Sequence, residues 1–359
     1  MSRQTYFNMA AIAGALLVLG AGCVGGQKQA SPDGGVFKTT DGGETWRQSS
    51  AVPTLGGVRS FATANVLTLA PDPHHTATVY AGTAGDGLLV TNTNGAEWRR
   101  VGGQELASVR AVVVDPVEPC TWYASAFSRV FKTRDCGRVW KPTYDTAKPD
   151  QEVRAITVAP NNHNRVYLTI NDQEAGVLVV STDGGATGSV AFRFPVTVRS
   201  ITVDPKRPSR LYAVTDNRGL WVSEDAGSAW RELKQELQSF AGARRGWELA
   251  LDPIDSQILW YASSYGLLRS ADSGATWAAI PLLTAPGEAR IYALAVNPQQ
   301  TAELYYSAVV GGKSLLYKTT DGGATWKTKK LPSARIPTAI RIQSDKPAEV
   351  LVGTYLQQR

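Results

Sequence analysis

Short apolar-rich runs stopped by a proline recur along the chain: "VLTLAPDP" (66–73), "VRAVVVDP" (109–116), "VRAITVAP" (153–160), "VRSITVDP" (198–205), "GWELALDP" (246–253) and "IYALAVNP" (291–298). A degraded seventh is "PTAIRIQS" (337–344). Each has the grammar of a β-strand running into a turn. A second apolar run follows each, carrying Tyr80, Tyr123, Tyr167, Tyr212, Tyr261 and Tyr305, with Leu351 in the seventh place. A third run then enters an octapeptide: "TTDGGETW" (39–46), "TNTNGAEW" (91–98), "TRDCGRVW" (133–140), "STDGGATG" (181–188), "SEDAGSAW" (223–230), "SADSGATW" (270–277) and "TTDGGATW" (319–326). The aspartate is missing only at Thr93 and the tryptophan only at Gly188.

The repeating unit is therefore strand A, a proline turn, strand B with its tyrosine, strand C, the octapeptide and a short strand D. Such a unit recurring at intervals of about 45 residues predicts an all-β chain, a seven-bladed β-propeller of four-stranded antiparallel blades. The order at the ends adds a constraint. The repeats begin with strands C and D ("GGVFKTTDGGETW") and finish with A and B ("TAIRIQ", "EVLVGT"), so one blade is completed by both termini. That closure leaves no open sheet edge. The propeller is expected over residues 35–354.

Composition changes this picture only at the N-terminus. Hydrophobic residues make up 43% and charged residues 19%, as in a globular protein with ample core. The net charge of +6 suits an anionic partner but falls short of a dedicated nucleic-acid surface, so no nucleic acid is expected. Residues 1–22 combine Arg3 with the apolar run "AAIAGALLVLG", too short for a spanning helix and laid out like a secretory signal. Small residues then lead to Cys23, with Leu19 four places before it. This resembles the lipobox of bacterial lipoproteins and implies cleavage, lipidation of Cys23, a tether over 23–34 and membrane anchoring through the lipid, on the periplasmic side or at the cell surface.

The octapeptide resembles the Asp-box, or bacterial neuraminidase repeat, S/T-x-D-x-G-x-T-W. That repeat occurs in sialidases, sortilin ectodomains, xyloglucanases and the propeller that assists photosystem II assembly. The resemblance implies the propeller more firmly than any activity. It also gives Asp41, Asp135, Asp183, Asp225, Asp272 and Asp321 a structural role. An aspartate in a tight turn accepts hydrogen bonds from the amides ahead of it.

Function is expected where the repeat breaks. The second position of strand A reads Leu67, Arg110, Arg154, Arg199, Trp247, Tyr292 and Thr338, and the third position carries Glu248 where other blades have Thr, Ala or Ser. If strand A lines the channel, Arg110, Arg154, Arg199, Trp247, Glu248 and Tyr292 form a ligand-binding rim for a carboxylate, phosphate or sugar. The competing view is structural ion pairing with neighbouring blades. A sialidase would need three arginines, a tyrosine nucleophile with its glutamate, and an acid. The same residues supply most of that set, but Asp86 is the only acid to suggest itself. Moreover, sialidase propellers have six blades, and "FRFP" (192–195) lies mid-chain. Acidic residues such as Asp145, Asp150, Glu152, Asp172 and Glu174 read as solvated loop positions, and no catalytic residue is assigned. No metal or cofactor motif is present.

Two smaller expectations complete the reading. In the hairpin of strands B and C in the second blade, residues summing to about 255 pair across the reversal near Phe127. That brings Cys120 opposite Asp135 or Cys136 at the same edge, and a Cys120–Cys136 disulfide is expected within the bond's geometric reach. The stretch "RELKQELQSFAGARRG" (231–246) has Leu233, Leu237 and Phe240 at helical spacing and predicts one amphipathic helical turn. The function that fits best is a non-catalytic exported lipoprotein that binds a protein or peptide partner, with an anionic group favoured. The alternative is a carbohydrate-active protein, either a glycan binder or a sialidase-like glycoside hydrolase.

Overall fold

Seven four-stranded antiparallel sheets are arranged as the blades of a propeller in the computed structural model, which describes residues 33–356. The seven innermost strands contact one another in succession. Val66–Pro71 touches Val112–Val114, the contacts continue through every blade, and Ile336–Ile342 returns to Val66–Pro71. The closing blade takes its inner two strands, Ile336–Ile342 and Val350–Tyr355, from the C-terminal side. Its outer two, Val36–Thr39 and Arg47–Gln48, come from the N-terminal side. Phe37 pairs with Val352 in that seam. Arg335 fastens it: Nε lies 3.0 Å from Asp33 Oδ1, and Nη1 donates to the Thr63 carbonyl at 2.9 Å. Cys23 and segment 1–22 lie outside the described residues.

The octapeptide explains its own recurrence. In the first copy the Thr39 hydroxyl donates to Asp41 at 2.6 Å and accepts the Gly43 amide at 3.0 Å. Asp41 in turn accepts the Thr45 amide and hydroxyl. Positions four and five are both left-handed in all seven copies, for example Gly42 at φ 70° and Gly43 at φ 95°. This is costly for side chains with a Cβ, yet Asn94, Cys136, Ala226 and Ser273 accept it at position four. The amide of that same residue donates in six blades to the loop between strands A and B, as in Gly322 to Ala302 at 2.8 Å and Ala226 to Ser209 at 2.7 Å, and in the third blade to Asn164 near the start of strand B. Both sets of turns therefore occupy one face of the disc. In the second copy Thr93 replaces the aspartate, and its hydroxyl accepts the Glu97 amide at 3.2 Å.

Tyrosines of strand B join blade to blade. The hydroxyls of Tyr123, Tyr212 and Tyr305 donate to the carbonyls of Gly184, Ser273 and Gly42 in the octapeptide of the next blade. The rings are fully buried, so each strap combines apolar burial with a satisfied hydroxyl. Tryptophans close the turns: the indole N–H groups of Trp46, Trp230 and Trp277 donate to the position-five carbonyls of Gly43, Gly227 and Gly274. Gly188 has no indole. There the second blade supplies both parts: the Thr143 hydroxyl donates to the Gly185 carbonyl, and the Tyr144 ring occupies the space beside Gly188.

Three local features depart from the sequence reading. Residues 231–246 form no helix; they make successive turns that bury Leu233 and Leu237 between blades. Tertiary burial satisfies the apolar spacing without helical hydrogen bonds, and the Ala243 carbonyl accepts Tyr261 Oη instead. Lys141–Asp145, whose Asp145 reads from the sequence as a solvated loop position, is the outer strand of the second blade. An additional hairpin, Ala51–Thr54 with Gly57–Ser60, stands outside the blades. Among the described residues the only helical turn is the 3-10 turn Gln104–Leu106, and no helix is long and apolar enough to cross a membrane.

Cys120 and Cys136 are joined by a disulfide with a Cα separation of 4.3 Å, at the same point where the Cys136 amide donates to the Cys120 carbonyl. A closed loop of this length contributes about 3 kcal/mol through the unfolded state. Intact-mass analysis after alkylation is expected to find neither cysteine modified without reductant. Reduction is expected to lower the melting temperature.

Acid stability follows from the turns. Hydrogen bonds from the Thr319 and Thr325 hydroxyls, then the Thr325 amide, hold the Asp321 carboxyl at about 2. Asp41 and Asp183 are held low by their own Thr and Ser hydroxyls and amides, and Asp135, Asp225 and Asp272 are also lowered. A carboxyl depressed by folding stabilises above its unfolded pKa, about 3.9, and that stability is lost as pH falls through the folded value. The contribution of these turns to the melting temperature should be complete above pH ~5 and fall away steeply toward pH ~2. Asp321→Asn should lower it at neutral pH and flatten the acid limb. A melting temperature indifferent to pH between these limits would contradict this account.

Candidate functional site

Strand A carries a bulge at its second position. The pairing register jumps from Val66 to Thr68, Val153 to Ala155, Val198 to Ser200, Gly246 to Glu248, Ile291 to Ala293 and Pro337 to Ala339. In the second blade the Arg110 amide and the Ser125 carbonyl replace the ladder pair. A bulge re-aims the side chain it skips. The skipped residues are the second-position series, and they lie at the start of strand A, on the face opposite the octapeptide turns.

From blade two to blade six these side chains form a continuous arc. Glu152 sits between two arginines, pairing with Arg110 Nε and, at 3.2 Å, with Arg154 Nη1. Burial first, and then the neighbouring charge of Arg110, with Arg199 adding to it, hold the Arg154 guanidinium below the usual arginine range. Arg199 pairs with Asp216, whose carboxylate also accepts the Thr197 hydroxyl. Its guanidinium lies 4.4 Å from the centre of the Trp247 ring. Trp247 and Tyr292 follow with ring centroids 6.1 Å apart and planes tilted by 34°. Arg290 closes the arc, 5.8 Å from the Trp247 ring. Blades seven and one contribute Thr338 and Leu67, and Thr338 is occupied with the Val66 carbonyl.

Ion pairing satisfies only part of this arc. Arg154 Nε, Arg199 Nε and Trp247 Nε1 are buried without a hydrogen-bond partner among the described residues. A buried donor without an acceptor is costly, which marks the place where an acceptor from outside would be held. A pocket of about 430 Å³ opens beside Arg199 and Trp247, lined also by Asp216, Arg245, Thr197 and Glu174 among others.

Glu248 is placed differently from the rest. Its carboxylate accepts the Leu294 amide at 2.8 Å, bridging the inner strands of blades five and six. It has no ion pair among the described residues. Burial in the wall pushes its carboxyl up to about 8, against the single hydrogen bond that lowers it. At neutral pH it is mostly the protonated acid. Asp86 makes no hydrogen bond or ion pair among the described residues, and no charged side chain perturbs Glu248. No group of three or more His, Cys, Asp or Glu there is arranged to hold a metal ion.

Sequence reasoning assigned Glu152 to a solvated loop, whereas it is the shared acid of Arg110 and Arg154; its position two residues before Arg154 was the available signal. Asp216 and Arg290 were missed. Asp216 reaches the arc from the end of another strand, while Arg245 and Arg290 stand two residues before Trp247 and Tyr292, the same offset as Glu152 from Arg154.

No family model matches the chain. It is 30% identical over 142 residues to a probable oligoxyloglucan-reducing end-specific xyloglucanase of Neosartorya fischeri, a segment covering 36% of this chain and 17% of that protein. It is 28% identical over 184 residues to the photosystem II assembly lipoprotein Ycf48 of Synechococcus sp. (strain CC9902), covering 47% of this chain and 52% of that one. The chain thus spans less than a fifth of the length of the xyloglucanases it resembles. Among solved structures, the GH74 enzyme of Niastella koreensis superposes with a TM-score of 0.67 at 18% identity, over 86% of this chain and 53% of that one. YCF48 bound to D1 peptide superposes with a TM-score of 0.60 at 17% identity, over 85% and 95%. At these identities the structural likenesses establish the propeller fold.

The raised Glu248 carboxyl gives a test of the wall. A carboxyl raised by folding stabilises below its unfolded pKa, about 4.3, and progressively loses that stability as pH rises to its folded value. Stability should therefore decline between pH ~4.5 and ~8 through this residue. Glu248→Gln keeps an acceptor for Leu294 and removes the charge. It should raise the melting temperature at pH 8 and leave it unchanged at pH 4.5; an equal effect at both would refute the assignment.

Proposed function

We propose that this protein is an exported, membrane-tethered propeller that binds an anionic segment of a protein or peptide partner through the bulge face, in an assembly or scaffold role. In this reading the Asp-box turns build the opposite face, cleavage removes residues 1–22, and Cys23 carries the lipid. The observation that carries the proposal is the set of three buried, partnerless donors on Arg154, Arg199 and Trp247 within an arc richer in cations than in acids. Arginine forks pair bidentately with carboxylates, and the Trp247 and Tyr292 faces accept apolar or aromatic side chains of an extended segment. Support also comes from the similarity to a photosystem II assembly lipoprotein and from the fold shared with YCF48 bound to D1 peptide.

A second reading, a glycan site with or without hydrolysis, is favoured by the tilted Trp247–Tyr292 pair, the protonated Glu248 and the similarity to xyloglucanase segments. Hydrolysis needs a second carboxylate across the scissile bond, and no other acid acts on the Glu248 carboxyl among the described residues. Turnover of chromogenic xyloglucan-derived sugars, abolished in Glu248→Gln, would establish this reading in place of the first.

Affinity purification from the native membrane, followed by binding of the captured partner, tests the primary reading. The triple variant Arg110→Ala, Arg154→Ala, Arg199→Ala should weaken capture by at least about tenfold and flatten its salt dependence, because exposed charge attraction is screened by salt. Capture with an unchanged salt slope would make the arc purely structural.

A further inference from the structure

A second basic site lies on the octapeptide face, at the junction of blades two and three. The residue before the octapeptide is a cation in four blades: Lys38, Lys132, Arg269 and Lys318. In blades six and seven an acid meets it. Lys318 pairs with Glu303 at 2.9 Å and Lys38 with Glu349 at 2.6 Å. Both glutamates hold the same backbone position, their carbonyls accepting the Asn297 and Gln343 amides and their own amides donating to Gln300 and Lys346. Thr121 makes that same pair of bonds in blade two, with Asp115 and Glu118. Threonine stands there in place of the acid, and among the described residues Lys132 has no carboxylate partner.

The neighbours of Lys132 make the charge imbalance larger. Lys132 Nζ donates to the Gly184 carbonyl at 2.6 Å and lies 4.8 Å from the Tyr123 ring centre. It faces a pocket of about 600 Å³ that is also lined by Arg134, Lys141, Thr143 and Asp135. Arg134 and Lys141 are exposed, and among the described residues neither side chain has an ion pair or hydrogen bond. Asp135 is committed to its own turn, accepting from Thr133, Arg138 and Val139. Burial first, and then Arg134, hold the Lys132 ammonium below the usual lysine range; Asp115 and Asp183 offset this only in part. In blade five, by contrast, Arg269 rests 5.4 Å from the Trp260 ring, with Ala271 and Ala278 in place of the extra cations.

We propose that this pocket binds a dianionic oxyanion group, a phosphate monoester, with Lys132 at its floor and Arg134 and Lys141 at its rim. Three cations against one acid leave a lining charge that a dianion neutralises. The pocket volume suits a small group, not a polymer. Arg134 offers a planar fork to two oxygens, and Lys132 contributes a point charge held in place by Tyr123. The group arrives either on a soluble metabolite or on a lipid headgroup.

The test uses the exported protein at low ionic strength, titrated with glycerol 3-phosphate and, in a second arm, with vesicles containing phosphatidate. Thr121→Glu restores the acid present in blades six and seven and should pair with Lys132. It is expected to weaken binding by at least about tenfold, the loss of one charge-assisted contact, without lowering the melting temperature. Should Thr121→Glu fold poorly, the exposed pair Arg134→Gln, Lys141→Gln must produce the same loss. Saturable binding of glycerol 3-phosphate supports a soluble source, and binding of the vesicles alone supports a lipid source. No binding in either arm, or binding undiminished in these variants, overturns the proposal.

Discussion

The ring exists because Val36–Thr39 pairs with Val350–Tyr355. Without that ladder the first and last sheets would each present an unpaired edge, and the inner strands would have no closed circle to lean on. Arg335 shows how much of the seam is polar: one guanidinium serves Asp33, two backbone carbonyls and Asn65. Apolar burial drives each blade against the next, but the seam fixes how many blades fit. Closure also makes every blade an inner neighbour of two others, so a side chain at any inner position meets partners from three strands.

The two faces of the disc are built on opposite principles. On the octapeptide face, invariance is physical. Two successive left-handed residues, a hydroxyl and a carboxylate form one self-contained turn whose position-four amide is anchored to the preceding loop. Departures are absorbed by local substitutes, as when Thr143 and Tyr144 take over for the indole absent at Gly188. On the bulge face, the backbone repeats and the side chains diverge. The bulge supplies an identical pedestal, from which Arg110, Arg154, Arg199, Trp247 and Tyr292 each project. A fixed frame with variable display is how one fold serves unrelated ligands.

Glu248 illustrates how position alters chemistry. The same carboxylate on the outer strands would be solvated and ionised. In the inner wall it receives one amide and no cation, and burial keeps its proton on at neutral pH. Arg154 is the converse case, a buried guanidinium held beside two other cations, whose repulsion Glu152 offsets by standing between it and Arg110. Both are unfavourable placements that the surrounding sheet maintains.

The sequence by itself determined the blade count, the strand order within a blade, the split closing blade and the turn role of the aspartates. These follow from periodicity and from short-range hydrogen bonding, and both are written in neighbouring residues. It also brought Cys120 to the same hairpin edge as Asp135 and Cys136, because pairing in a tight hairpin is arithmetic. Only the tertiary structure decided the rest. Leu233 and Leu237 had helical spacing but are buried as turns between blades, since packing can satisfy apolar residues without fixing their backbone as a helix. Glu152 and Arg290 share strands with Arg154 and Tyr292, but their contacts with Arg110 and Trp247 cross blades, and Asp216 joins Arg199 from the end of another strand. The bulge that aims the second-position residues is a register shift between two strands, invisible in either alone. The sequence determines which residues are available; partnership across blades depends on distances that only closure of the ring sets.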